Sequence, residues 1–283
     1  MDKKIKSEDE VYFLGSSKGR RKKDSSLKWI LTGAGIIVLL VAVWLLFFTQ
    51  RQQLDFDDNP EATTIQYNTV VDNSGAERNG YIEVLEETVN DVPLFVYLPR
   101  HSELSLQVGM PDKTDSSMVF VAQAADIRAD NLDIVGDFVL KGKQIARGKA
   151  KQGFCAIINN EIIIGDEEET PLLLKAINQN GYFFRQYSLV KKGKLIENNP
   201  KNKSIRRALA VRNNQIIVVE SRSRESLHDF SQALIDIGVS DAIYLVGSTT
   251  YGWYRNQQQS FVEFGIEQEG QPPNTNYIVW RSK

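Results

Sequence analysis

The sequence predicts an α+β fold of mostly antiparallel β hairpins and strands with one or a few packed helices, preceded by a single transmembrane helix. Three observations carry this. From Thr64 onward, short β-branched and aromatic-rich runs alternate with turn residues. One stretch near the C-terminal end repeats its apolar residues with a helical period. Near the N-terminus, Trp29–Phe48 runs for twenty residues without a charge or a proline.

That apolar run comes first along the chain. At about 1.5 Å per residue a helix of this length spans about 30 Å, the thickness of the hydrocarbon core. Lys18, Arg20, Arg21, Lys22, Lys23 and Lys28 precede it, and Asp55, Asp57, Asp58 and Glu61 follow. Residues 1–50 hold nine Lys/Arg against five Asp/Glu, while the remainder holds 25 against 31. The positive-inside rule then puts the N-terminus in the cytoplasm and everything beyond the span outside. A cleaved signal peptide would have a shorter apolar core and a small-x-small site, and Phe47-Phe48-Thr49-Gln50-Arg51-Gln52 offers none. The expected organisation is a basic, disordered cytoplasmic tail (1–27), a signal-anchor helix (28–49), a linker (50–63) and one extracytoplasmic domain (64–283). The corresponding location is the cell envelope, periplasmic if there is an outer membrane, with the lipid bilayer as a partner.

Within the domain, Ile65–Val71, Tyr81–Leu85, Leu94–Leu98, Leu104–Val108 and Met118–Ala122 read as strands. Four tight hairpins follow. Phe138–Ile145 turns at Lys141-Gly142, Cys155–Ile164 at Asn159-Asn160, Ser188–Ile196 at Lys192-Gly193 and Ala208–Glu220 at Asn213-Asn214. Asn and Gly tolerate the positive φ that two-residue turns require. Leu227, Phe230, Ala233, Leu234 and Ile237 share one face of a helix that Ser226 caps and Gly238 ends. Ala242–Val246 then reads as a buried strand delivering Gly247-Ser248-Thr249-Thr250 at its tip.

Composition excludes more than it names. Net charge is −2 and the basic excess is confined to the N-terminal side, so no stripe for nucleic acid exists. The only cysteine, Cys155, lies in an apolar run, reads as a small core residue, and leaves no intrachain disulfide. No His/Cys spacing suggests zinc, and Asp166-Glu167-Glu168-Glu169 lacks the alternating oxygens of a calcium loop. No metal and no cofactor is called for. His101 and His228 are the only histidines, and no nucleophile elbow accompanies them. Arg206 and Arg207 open one hairpin, and Arg222 and Arg224 follow its second strand. A guanidinium cluster there suits a phosphate or carboxylate, and pairing with Glu220 and Glu225 is the plainer alternative.

From about Met118 to Tyr254 the chain resembles the phosphodiester glycosidase family, whose uncovering-enzyme members remove N-acetylglucosamine from a phosphodiester. Ser188-Leu189-Val190-Lys191-Lys192-Gly193-Lys194-Leu195 resembles its x-L-V-x-x-G-k hairpin, Arg206-Arg207-Ala208-Leu209-Ala210-Val211 its R-T-A-x-G strand, and Val218-Val219-Glu220-Ser221-Arg222-Ser223 its V-V-D-G-R-S segment. Gly238–Leu245 resembles the lead-in to its site strand. Three marks depart. The L-D-G-G-G-S signature reads Leu245-Val246-Gly247-Ser248-Thr249-Thr250, N-G-G-F-F reads Gln123-Ala124-Ala125-Asp126-Ile127, and the Gly-Pro before the L-V hairpin reads Gln186-Tyr187. The resemblance implies a substrate site of Arg206, Arg222, Gly247, Ser248 and Thr249 in one cleft, and leaves the catalytic residues open. Glycoside cleavage ordinarily uses two carboxyl groups, and valine at 246 supplies neither. Two readings follow: a diverged hydrolase of glycan or sugar-phosphodiester linkages, or a non-catalytic envelope module binding a glycan, an anionic sugar or a protein.

Overall fold

The computed structural model describes residues 63–66 and 79–283. The expected cytoplasmic tail, the expected membrane span and all of the expected linker but Thr63 lie outside the described residues. Among the described residues no helix is long and apolar enough to cross a membrane.

In chain order the elements begin with β1 (Thr63–Gln66), β2 (Tyr81–Val89), β3 (Val92–Arg100), β4 (Ser102–Val108), β5 (Met118–Gln123), β6 (Phe138–Leu140) and β7 (Lys143–Ala146). Next come β8 (Gly153–Ile158), β9 (Glu161–Asp166), α1 (Pro171–Asn178), β10 (Tyr182–Gln186), β11 (Ser188–Lys191) and β12 (Lys194–Leu195). The chain then forms β13 (Arg207–Arg212), β14 (Gln215–Ser221), α2 (Leu227–Asp236), β15 (Val239–Leu245), β16 (Gly252–Arg255), β17 (Phe261–Phe264) and β18 (Asn276–Ser282).

These strands build three sheets, in the orders β1-β9-β8-β10-β6-β7, β12-β11-β15-β13-β14-β3-β2 and β17-β16-β5-β18-β4. The paired strands run antiparallel, as the hairpin signals predict. All four expected turns place both central residues at positive φ, among them Asn159 (51°) with Asn160 (67°) and Asn213 (51°) with Asn214 (56°). A fifth, Asn90-Asp91, joins β2 to β3 in the same way.

One core lies where the three sheets face each other, and it draws Phe120 and Trp280, Cys155 and Phe184, Leu209 and Ile243 from different sheets. The outer face of the seven-stranded sheet is covered by α2, through Leu227, Phe230 and Leu234. The six-stranded sheet is covered likewise by α1, through Leu172 and Ala176. Central strands are therefore buried on both faces and read as unbroken apolar runs. Along β13, Leu209 and Val211 enter the inter-sheet core while Ala208 and Ala210 enter the α2 side.

The caps follow sequence chemistry. Ser226 Oγ accepts from Asp229 N at 3.0 Å, and Gly238 leaves the helix at φ +87°. Thr170 caps α1, where Pro171 costs no hydrogen bond in the first turn. The start of β2 meets the end of β18, with Gly80 N donating to Ser282 Oγ at 2.8 Å.

A cleft at the tip of the central strand

The end of β15 is fixed by its own tight geometry. Val246 N donates to Ala124 O at 3.3 Å and Ser248 N to Ile205 O at 2.7 Å. Thr250 Oγ1 turns back onto Val246 O (2.8 Å) and Gly247 O (2.9 Å). Gly247 sits so close to the Ile205 carbonyl that a Cβ would collide with it. Ser248 holds φ +60°, a backbone position that favours glycine, where the resembled family's signature carries one.

Beside this tip the Gln123–Asp126 segment is clamped by the buried Asn276. Its Oδ1 accepts from Ala125 N at 2.7 Å, and its Nδ2 donates to Ala125 O at 3.2 Å. Between the two segments opens a cleft of about 260 Å³ lined by Gln123, Asp126, Val246, Thr249, Tyr251 and Gln271 among others. Its wall is extended by an ion pair from Asp126 to a lysine outside the signature segments. Asp126 Oδ2 lies 3.0 Å from Lys151 Nζ, and that ammonium lies 3.0 Å from the centre of the Tyr187 ring. Tyr187 O accepts from Tyr244 N at 2.8 Å, and Tyr244 Oη accepts from Gly247 N at 3.3 Å. Gln123–Ile127, Gln186-Tyr187 and Val246–Thr250, the places where the chain departs from the family pattern, are thus joined in one constellation.

Of the expected binding residues, Gly247 is buried in the turn, and Ser248 and Thr249 are exposed at its tip. The arginines point elsewhere. Arg206 is buried on the α2 side, where Nε donates to Glu225 O at 2.9 Å and another nitrogen to Asn202 O. Arg222 lies 2.5 Å from Glu86 Oε2 and covers the Phe95 ring. Neither is among the residues lining the cleft. The guanidinium that does reach the strand tip belongs to Arg207. Its Nε donates to Glu220 Oε2 at 2.6 Å, and Nη1 reaches Val246 O (3.1 Å) and Thr250 Oγ1 (3.2 Å). His228 is exposed and hydrogen-bonds Glu197, away from the cleft.

The lining holds one carboxylate, Asp126, already matched by Lys151. Tyr251 is pushed up to about 12, by burial first and then by its hydrogen bond to Glu263, so it stays a neutral phenol at ordinary pH. Cys155 is fully buried, and burial pushes its thiol far above the usual range, which makes it inert. No group of metal-binding side chains occurs among the described residues.

No known family pattern and no curated protein matches the sequence. Solved structures do match the fold. One is the catalytic domain of zebrafish N-acetylglucosamine-1-phosphodiester alpha-N-acetylglucosaminidase, auto-inhibited by its pro-peptide. It matches with a TM-score of 0.53 and 11% identity, covering 78% of this chain and 88% of that one. A hypothetical protein from Synechocystis matches at a TM-score of 0.45 and 13% identity, covering 80% and 64%. At 11% identity the likeness is one of architecture, and that architecture is the phosphodiester glycosidase fold.

Proposed function

We propose that this domain is a binding module for an anionic sugar or glycan at the cell envelope, held to the membrane by residues 28–49. The observation that carries the reading is the cleft's acid content. A glycosidase of the two-carboxylate kind needs one group to protonate the leaving oxygen and a second as nucleophile or base. Here the strand-tip position is Val246, Asp126 is tied to Lys151, and Glu220 is tied to Arg207 below the turn. The cleft keeps polar side chains that suit sugar hydroxyls, in Gln123, Thr249 and Gln271. Hydrolysis is the second reading, favoured by the one acid in the wall, Asp126.

Calorimetry and a turnover assay on the full chain in lipid nanodiscs separate the two. Wild type is expected to bind a sugar-1-phosphodiester without hydrolysing it. Thr249→Ala with Gln123→Ala is expected to weaken binding by about tenfold, the loss of one or two hydrogen bonds to a polar ligand. Turnover by wild type that Asp126→Asn abolishes would replace the binding reading with the hydrolytic one. Val246→Asp restores one acid of a pair and is expected to leave turnover undetectable.

A further inference from the structure

Apart from the cleft, a groove of about 710 Å³ runs along β4, the edge strand of the five-stranded sheet, and every residue from Glu103 to Val108 lines it. The opposite wall is a set of turns from the six-stranded sheet, at Lys141, Asn159-Asn160 and Asn180-Gly181. These turns are pinned to one another, with Gly142 N donating to Gly181 O at 2.9 Å and Asn159 Nδ2 to Gln179 Oε1 at 3.0 Å. Leu104, Leu106, Leu140 and Ile157 line the groove from the inter-sheet core.

One edge of β4 is open. Its ladder to β18 is bounded by Lys283 N donating to His101 O at 3.2 Å and Gly109 N donating to Thr275 O at 2.8 Å. The register between these bonds is unbroken. Odd-numbered residues of β4 therefore bond to β18, and even-numbered ones turn their N–H and C=O groups the other way. Among the described residues no backbone group meets those of Ser102, Leu104, Leu106 and Val108 on that side. Such an edge is a template for an extended strand.

The chain passes both ends of the groove. Gln66, the last residue of β1, pairs with Glu161, which follows the Asn160 that lines the groove. Gly80 N donates to Ser282 Oγ, and Ser282 lines the groove as well. A Cβ on Gly80 would meet His101 O, so the chain arrives at the start of β4. Residues 67–78 connect these points. Fully extended they reach about 40 Å, against about 23 Å for the seven residues of β4. In the sequence Tyr67, Thr69 and Val71 alternate with Asn68, Val70 and Asp72, the period of a strand.

We infer that the groove docks residues 67–71 of this same chain, which add to β4 as a strand. The pairing is antiparallel, because the chain arrives where β4 begins. Tyr67, Thr69 and Val71 share the side of Leu104 and Leu106, and Asn68 and Val70 share that of Ser105 and Gln107. Residues 72–78 supply the slack to Gly80. The docked strand ties the six-stranded sheet to the five-stranded one and closes the β4 edge to strand addition by other chains.

Hydrogen exchange resolved to single amides, on the full chain in nanodiscs, tests this. The Leu104, Leu106 and Val108 amides are expected to exchange about tenfold more slowly in wild type than in Val70→Pro with Val71→Pro, the scale of one hydrogen bond. Adjacent prolines strike both parities of the strand, so one of them removes a ladder donor whatever the register. The Glu103, Ser105 and Gln107 amides face β18, and their unchanged protection shows that the variant folds. Fast exchange at the edge amides of wild type would overturn the docking. Slow exchange that survives the prolines would overturn it too, and loss of that protection on dilution would name a second copy as the occupant. If the variant does not fold, Val70→Cys carrying a benzophenone decides, since the native Cys155 is buried and escapes labelling. Its photo-adduct is expected within residues 102–108 of the same chain, and an adduct elsewhere, between copies, or none refutes the proposal.

Discussion

Arg206 and Arg207 adjoin in the sequence, and strand alternation sends them to opposite faces of the same sheet. Arg206 follows Ala208 and Ala210 toward α2, while Arg207 follows Leu209 and Val211 into the inter-sheet core. Register then sets Arg207 against Glu220, its direct partner across β13 and β14. The parity was legible in the sequence, but which parity faces the cleft was not, because that depends on how the sheets stack. Asp126, Lys151 and Tyr187 left no local trace either, since they meet only through tertiary folding. At this scale Tyr251 carries a pH dependence. Burial, then the bond to Glu263, raises its phenol from 10.0 to about 12, so the folded state favours the neutral form. Below pH 10 its contribution is whole. Between 10 and 12 the unfolded chain ionises first and stability falls as pH rises. Urea denaturation across that window is expected to show a smaller loss for Tyr251→Phe than for wild type, the remainder coming from groups such as the buried Tyr277. Equal losses would show that Tyr251 is not a source.

The turn that ends β15 makes the site depend on backbone shape more than on side chains. Gly247 admits no Cβ beside the Ile205 carbonyl, so Gly247→Ala is expected to cost about 1–3 kcal/mol and to lower the melting temperature measurably. Ser248→Gly relieves a left-handed residue and is expected to be neutral or stabilising by up to about 1 kcal/mol. A destabilised Ser248→Gly would mean that the serine side chain holds the turn. Elements of this kind explain what could be read ahead of the structure. Hairpins announce themselves because positive φ restricts the residue types at two adjacent positions, and α2 because burial of one face imposes a 3.6-residue period. The β2–β3 hairpin escaped, since Pro93 just past the Asn90-Asp91 turn has no N–H for a ladder and demotes that run as a strand. Helix α1 escaped because eight residues give too few turns for a period to stand out. The order of strands within each sheet is set by long-range pairing, as in β14 with β3, and has no local signature.

For the whole molecule, the seven-stranded sheet is the mechanical centre, covered by α2 outside and packed inside against the other two sheets. A buried arginine, Arg185, gathers the loops of the six-stranded sheet. It pairs with Asp137 at 2.8 Å and donates to the carbonyls of Lys151, Gln152, Glu167 and Glu168. The placement of this frame outside the membrane is a proposal from the charges flanking residues 29–48. Protease applied to the outer face of intact cells, or of spheroplasts where an outer membrane exists, is expected to degrade residues beyond about 60 by that rule. Full protection, or a mature N-terminus near residue 50, would overturn the anchor.

The bond from Gly80 to Ser282, together with that from Lys283 N to His101 O at 3.2 Å, ties the end of β18 to the start of β2 and to the β3–β4 turn. A short peptide bridging Lys283 to Gly80, with new ends cut at the exposed Asn213-Asn214 turn, yields a circular permutant that gives up only β1, the edge strand of the six-stranded sheet, among the described strands. A reporter fused behind Lys283 emerges at the end of β18 opposite Asn276, the residue that clamps the cleft, and so leaves the cleft free for display.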